Sequence, residues 1–122
     1  MKAYTDLNQS EKLAEILPIE SVDMYYPNRL GVDNYPLPIE WKRGLPLLSQ
    51  EIPCWSLAAL HRALPKNLDI GRPVLATNYR GYYWVSYFDE YMKENKFTSK
   101  IYNNPIDACY EMIIKLNELK ML

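Results

Sequence analysis

The chain carries one histidine, His61, and two cysteines, Cys54 and Cys109, in 122 residues. A single imidazole is poor material for a metal centre, and two thiols are too few for a disulfide scaffold. Both thiols are expected to be free, as in a reducing cytoplasm, and no metal or other cofactor is expected. Glycine is scarce too. Gly31, Gly44, Gly71 and Gly81 stand apart from one another, so no glycine-rich loop is available to cradle a phosphate. No apolar run approaches a length of about 18 residues, so no membrane-spanning helix is expected. The opening Met1-Lys2-Ala3-Tyr4-Thr5-Asp6 lacks the apolar stretch of a signal peptide. Neither sign of charge dominates: 14 Lys and Arg face 15 Asp and Glu. That balance excludes a general polyanion-binding character.

What the chain does have is aromatic surface and proline. Eleven Tyr, three Trp and two Phe make up 13% of it. Six of its nine prolines fall between residues 18 and 53. That segment shows neither helical nor alternating periodicity, yet it holds Tyr25, Tyr26, Tyr35, Trp41 and many aliphatic residues. A disordered tail would not carry so much apolar material. It reads as a long, irregular wrap over the core, or as a recognition loop.

Around it, regular elements are legible. A first helix is expected over Asp6–Leu17, with Thr5 as N-cap and Pro18 as its stop. A short helix is expected over Ser56–Leu64, with Ser56 as cap, an apolar stripe of Leu57, Leu60 and Leu64, and Pro65 after it. Val74–Tyr79 and Tyr82–Phe88 are rich in β-branched and aromatic residues, and Arg80-Gly81 between them forms a tight turn. Tyr82, Trp84, Ser86 and Phe88 share one face of the second strand; Tyr83, Val85 and Tyr87 share the other. Phe97–Tyr102 reads as a third strand. A last helix starts at Asn103 or Asn104 with Pro105 in its first position, and buries Ile106, Cys109, Met112, Ile113, Leu116 and Leu119. Glu111 and Lys115 form an i,i+4 pair on its wet side. The order helix, wrap, helix, three-stranded antiparallel meander, helix describes one α+β domain over residues 1–122.

Three constellations bear on chemistry. Cys54-Trp55-Ser56 opens a helix in the manner of the nucleophile segment of papain-like cysteine proteases, and a helix N-terminus lowers a thiol pKa. That mechanism needs a base brought from elsewhere in the fold. His61 lies seven residues along the same helix, about 10.5 Å of rise away, beyond hydrogen-bond reach. Packing therefore explains Cys54 better than catalysis does. The carboxylates Glu20, Asp23, Asp33, Glu40, Asp89 and Glu90 allow a second idea, a small hydrolase. The helix, three strands and helix from residue 56 onward give a third, since double-stranded RNA readers share that order and Tyr82, Tyr83 and Tyr87 could stack on bases. Arg80, Lys93, Lys96 and Lys100 would supply the charge. Asp89, Glu90 and Glu94 dilute it, which counts against nucleic acid.

Lys12-Leu13-Ala14-Glu15-Ile16-Leu17-Pro18-Ile19-Glu20-Ser21-Val22-Asp23-Met24, Pro53-Cys54-Trp55-Ser56-Leu57-Ala58-Ala59-Leu60 and the 104–116 stretch from Asn104-Pro105 to Lys115-Leu116 together resemble a family of short hypothetical proteins from gut anaerobes of the Bacteroides group, often encoded in prophage-like or other mobile elements. The resemblance covers about a third of the chain. It implies an intracellular bacterial protein and assigns no catalytic residue. The expected function is a non-enzymatic binding or accessory module that contacts a protein partner or a second copy of itself. Its candidate binding residues are Tyr35, Trp41, Trp55, Tyr82, Tyr83, Trp84 and Tyr87, because Tyr and Trp anchor interfaces.

Overall fold

The computed structural model describes residues 2–27, 37–41, 47–48, 51–66, 71–89 and 94–122. Three helices and two antiparallel three-stranded sheets make an α+β fold. The first helix, α1, spans Leu7–Ala14. It is shorter than its apolar spacing suggests, and its cap is Asp6 rather than Thr5. Asp6 accepts from the Gln9 N–H at 2.8 Å, while the Gln9 side chain accepts from the Asp6 N–H at 3.1 Å. This reciprocal capping box satisfies two of the free donors at the helix start. The helix stops before Leu17, where the following proline disfavours helical backbone. The N–H groups of Ile16 and Leu17 both turn back to the Leu13 carbonyl.

The described parts of the proline-rich segment contain short regular elements. A single 3-10 turn at Ile19–Ser21 leads into β1, Met24–Tyr26. β2, Ile39–Glu40, and β3, Ile52–Cys54, pair on either side of β1. Strands of two or three residues are too short to show alternation, and Pro53 can occupy β3 because that strand lies at a sheet edge. Tyr26, Ile52 and Cys54 form a small apolar cluster under this sheet, with Tyr4, Leu7 and Met24 against it.

α2 spans Leu57–Ala63, one residue inside each expected end. The Ser56 hydroxyl accepts from the Ala59 N–H at 3.2 Å. The second sheet is the meander β4, Arg72–Thr77; β5, Tyr83–Asp89; and β6, Glu94–Thr98. β6 lies earlier than Phe97–Tyr102; Tyr102 instead bridges Tyr83 beyond the strand. The β4–β5 hairpin turns over Tyr79, Arg80 and Gly81. The Gly81 N–H bonds the Asn78 carbonyl at 3.1 Å, and Gly81 takes φ +82°, a value that favours glycine. The Asn78 side chain accepts from the N–H groups of Arg80 and Tyr82 and holds the turn.

α3, Pro105–Glu118, matches its expectation closely. The Asn104 side chain accepts from the Asp107 N–H at 2.8 Å. Ile106, Cys109, Met112, Ile113 and Leu116 are fully buried, while Leu119 is exposed at the helix end. Each such aliphatic side chain contributes about 1.5–3 kcal/mol by leaving water. They form the main core with Leu13, Val22, Trp55, Leu60, Leu64, Val85 and Tyr87. Glu111 accepts from the Lys100 N–H, and the Lys115 ammonium donates to the Thr98 carbonyl. No helix among the described residues is long and apolar enough to cross a membrane.

Candidate functional site

Two of the aromatic residues expected to bind are structural. Trp55 and Tyr87 are both 0% exposed. The Trp55 indole N–H donates to the Ser21 hydroxyl at 2.9 Å, and the Tyr87 hydroxyl donates to the Pro65 carbonyl at 2.9 Å. Each aromatic is therefore satisfied within the core and cannot face a partner. Trp41 and Tyr83 are half-buried against the same core. Trp84 is half-buried on the opposite face of β5, and Tyr82 next to it is 44% exposed. Tyr35 lies outside the described residues. Tyr79 is 91% exposed at the hairpin tip, with the Arg80 guanidinium carbon 5.6 Å from its ring centre.

Cys54 does not open a helix. It ends β3, three residues before the start of α2, and it is fully buried. Its thiol lies 3.5 Å from both the hydroxyl and the carbonyl oxygen of Thr5. Burial pushes its pKa up, and the bonds from Thr5, Ser10 and Tyr26 offset only part of that. Thr5 is the centre of this junction. Its hydroxyl bonds Ser10 at 2.7 Å and accepts from the Trp55 N–H at 3.1 Å, and its carbonyl accepts from Tyr26 at 2.7 Å. Close by, the Asp23 carboxylate accepts from both the N–H and the hydroxyl of Ser56. Every polar group named here has a partner within the fold, and a buried, protonated thiol offers no nucleophile. Burial alone raises the Cys109 pKa to about 12.

Among the described residues the carboxylates do not gather either. Asp33 and Glu90 lie outside the described residues, Glu40 is exposed on β2, and Asp23 serves Ser56. Among the described residues no three His, Cys, Asp or Glu side chains are placed to hold a metal ion. A cleft of about 430 Å³ between the Thr98–Lys100 segment and α3 holds Glu111 and Lys115. Both bond the backbone of its own rim.

The larger opening is a groove of about 840 Å³ between α2 and β4. Leu57, Ala58, His61 and Arg62 line one wall; Pro73, Val74 and Leu75 line the other. Ala58 is small and exposed, so the helix leaves space, and Val74 is 45% exposed. His61 sits at the mouth. Burial, and then the charge of Lys66, hold its pKa below the usual histidine value, so the imidazole is neutral at pH 7. The Lys66 ammonium donates to the His61 carbonyl at 3.0 Å, a cation at the end of α2 where the helix dipole favours one.

The groove runs beside an open sheet edge. Among the described residues β4 pairs with β5 on one side and with no strand on the other. The Asn78 N–H donates to the Tyr82 carbonyl at 3.1 Å, and the ladder continues from there without a slip. Backbone groups alternate in direction along an antiparallel strand. Ala76, Val74 and Arg72 therefore turn theirs toward β5, and Thr77, Leu75 and Pro73 turn theirs outward. Pro73 tolerates that position because it has no N–H to leave unpaired. A proline inside an apolar run, Arg72-Pro73-Val74-Leu75, was the one sequence signal for this edge.

Comparison with known proteins returns no match: no family model, no curated protein and no solved structure is similar to this chain.

Proposed function

We propose that this chain is a small non-catalytic binding module that takes a segment of a protein partner in the groove between α2 and β4. The observation that supports the reading is the juxtaposition of an apolar groove with outward-facing backbone groups on β4 that no described residue pairs. Strand edges normally carry protection because exposed donors and acceptors recruit other chains. Here the groove supplies side-chain pockets next to those groups, which is the arrangement used when an extended segment adds to a sheet. The exposed aromatics Tyr82 and Tyr79 lie at the hairpin end of the same strand and extend the contact surface. An intracellular bacterial setting, as the resemblance to short proteins of gut anaerobes implies, belongs to the same proposal.

The test is selection from a phage-displayed library of random 12-residue peptides on immobilised protein. Ala58→Trp fills the groove from an exposed helix position and serves as the control. Peptides that bind the native protein and lose binding to Ala58→Trp support the reading. A selection with no enrichment, or enrichment indifferent to Ala58→Trp, overturns it.

A further inference from the structure

We infer that the occupant of the groove is an extended acidic peptide, which lies along β4 as a fourth strand and sets a carboxylate against Arg62. This rests on the binding-module reading above and adds the chemistry of the partner.

The backbone sets the first condition. The outward groups of β4 are the N–H of Leu75 and of Thr77 and the carbonyls of Pro73, Leu75 and Thr77. An arriving strand meets two donors at the Thr77 end and none at Pro73. It must therefore centre its own acceptors on Leu75 and Thr77, short of the buried Pro73. The walls set the second condition. Leu57, Ala58 and Leu75 are apolar, so every other side chain of the arriving strand is apolar.

Charge sets the third condition. Between Ser56 and Tyr82 the sequence carries Arg62, Lys66, Arg72 and Arg80 against one carboxylate, Asp69, although the whole chain has a net charge of −1. Arg62 lines the groove and is exposed. A second copy of the chain fits less well. Its β4, Arg72-Pro73-Val74-Leu75-Ala76-Thr77, brings no carboxylate to Arg62, and like charges across an interface oppose association.

The same library selection, followed by synthesis of the enriched peptides, tests this. The expected winners carry apolar residues at alternate positions, with an Asp or Glu taking one of those positions opposite Arg62. Arg62→Glu weakens their binding by about tenfold, as does converting their carboxylates to amides. Adding peptide slows amide hydrogen exchange at Leu75 and Thr77. Thr77→Pro removes one outward donor at an exposed strand end and weakens binding with the melting temperature unchanged. Winners without acidic residues, or indifferent to Arg62→Glu, overturn the charge assignment. Unchanged exchange at Leu75 and Thr77 overturns strand addition. Both results leave the binding module standing. A dimer in sedimentation that Ala58→Trp abolishes gives the groove to a second copy and overturns the acidic peptide. An empty selection from a monomer overturns both readings.

Discussion

Two parts of the molecule handle exposed backbone in opposite ways. At the Thr5 junction, α1, β1, β3 and the start of α2 meet around a buried hydroxyl whose neighbours Ser10, Trp55, Tyr26 and Cys54 are all bonded to it or to its carbonyl. No buried side-chain nitrogen or oxygen among the described residues lacks a partner. At β4, two N–H groups face outward beside an apolar groove. Buried polar atoms must be paired because each unpaired one costs about 1–3 kcal/mol, whereas an exposed edge donor bonds water at little cost. The junction is therefore closed structure, and the edge is surface that can be occupied. The most reactive-looking residue, Cys54, falls in the closed part, and the residues that look plainest in the sequence, Ala58, Val74 and Leu75, line the open one.

That contrast can be broken from either side. Trp55→Ala has the largest expected effect. It empties a fully buried site, and unfolding in urea is expected to show a loss of about 3–5 kcal/mol. A loss well below that would mean that the junction is not the closed core described. Thr5→Val comes next. It keeps the shape and strands the Trp55 N–H, for a loss of about 1–3 kcal/mol by the same measurement. A smaller effect belongs to the ion pair that joins the starts of α1 and α3. Lys2 donates to Asp107 at 2.8 Å, and Gln9 donates to the same oxygen at 2.7 Å. Burial alone would raise the Asp107 pKa, but the bonds from Lys2, Asn104 and Gln9 outweigh it and hold it below the usual carboxylate value. Its stabilisation is complete above about pH 4 and is lost as the pH falls through the depressed value. Asp107→Asn is expected to flatten that acid limb of the stability profile. Lys2 titrates in the opposite sense: burial lowers its pKa, the bonds to Asp107 and Asp6 raise it further, and its share is lost only as the pH rises through the raised value. The smallest effect is Arg62→Glu, on the open side, where thermal unfolding is expected to change by less than about 0.5 kcal/mol. A large destabilisation would show that Arg62 supports the fold.

The elements that were legible in the sequence carry their own punctuation. Asn104-Pro105 and a full apolar stripe define α3, Ser56 and Pro65 bracket α2, and Gly81 marks the hairpin. β1, β2 and β3 were not legible, because strands of two or three residues have no period to detect and exist through their partners. α1 began one residue late because Thr5 and Asp6 both suit an N-cap. Gln9, three residues after Asp6, decides between them, and tertiary contacts then take Thr5 for the junction. Aromatic composition pointed correctly to neither burial nor exposure. Trp55 and Tyr87 went inside because a neighbouring element met their polar ends, while Tyr79 sits exposed on a three-residue turn with only Arg80 against its ring. The groove belongs to no single segment, since its walls come from α2 and β4 across an intervening connection.

The pair formed by Lys2 and Asp107 joins positions 105 residues apart, and this bears on synthesis in the cell. At about 5–20 residues per second, the ribosome needs roughly 5–20 s to reach Asp107 after passing Lys2. Thr5 can meet Trp55 within the first half of that interval. Leu13 must wait longer for its cover, because Ile106, Met112 and Ile113 of α3 are made late. For those seconds the early helix exposes an apolar side that later belongs to the core, and the nascent chain is then at its greatest risk of capture by chaperones or by other chains.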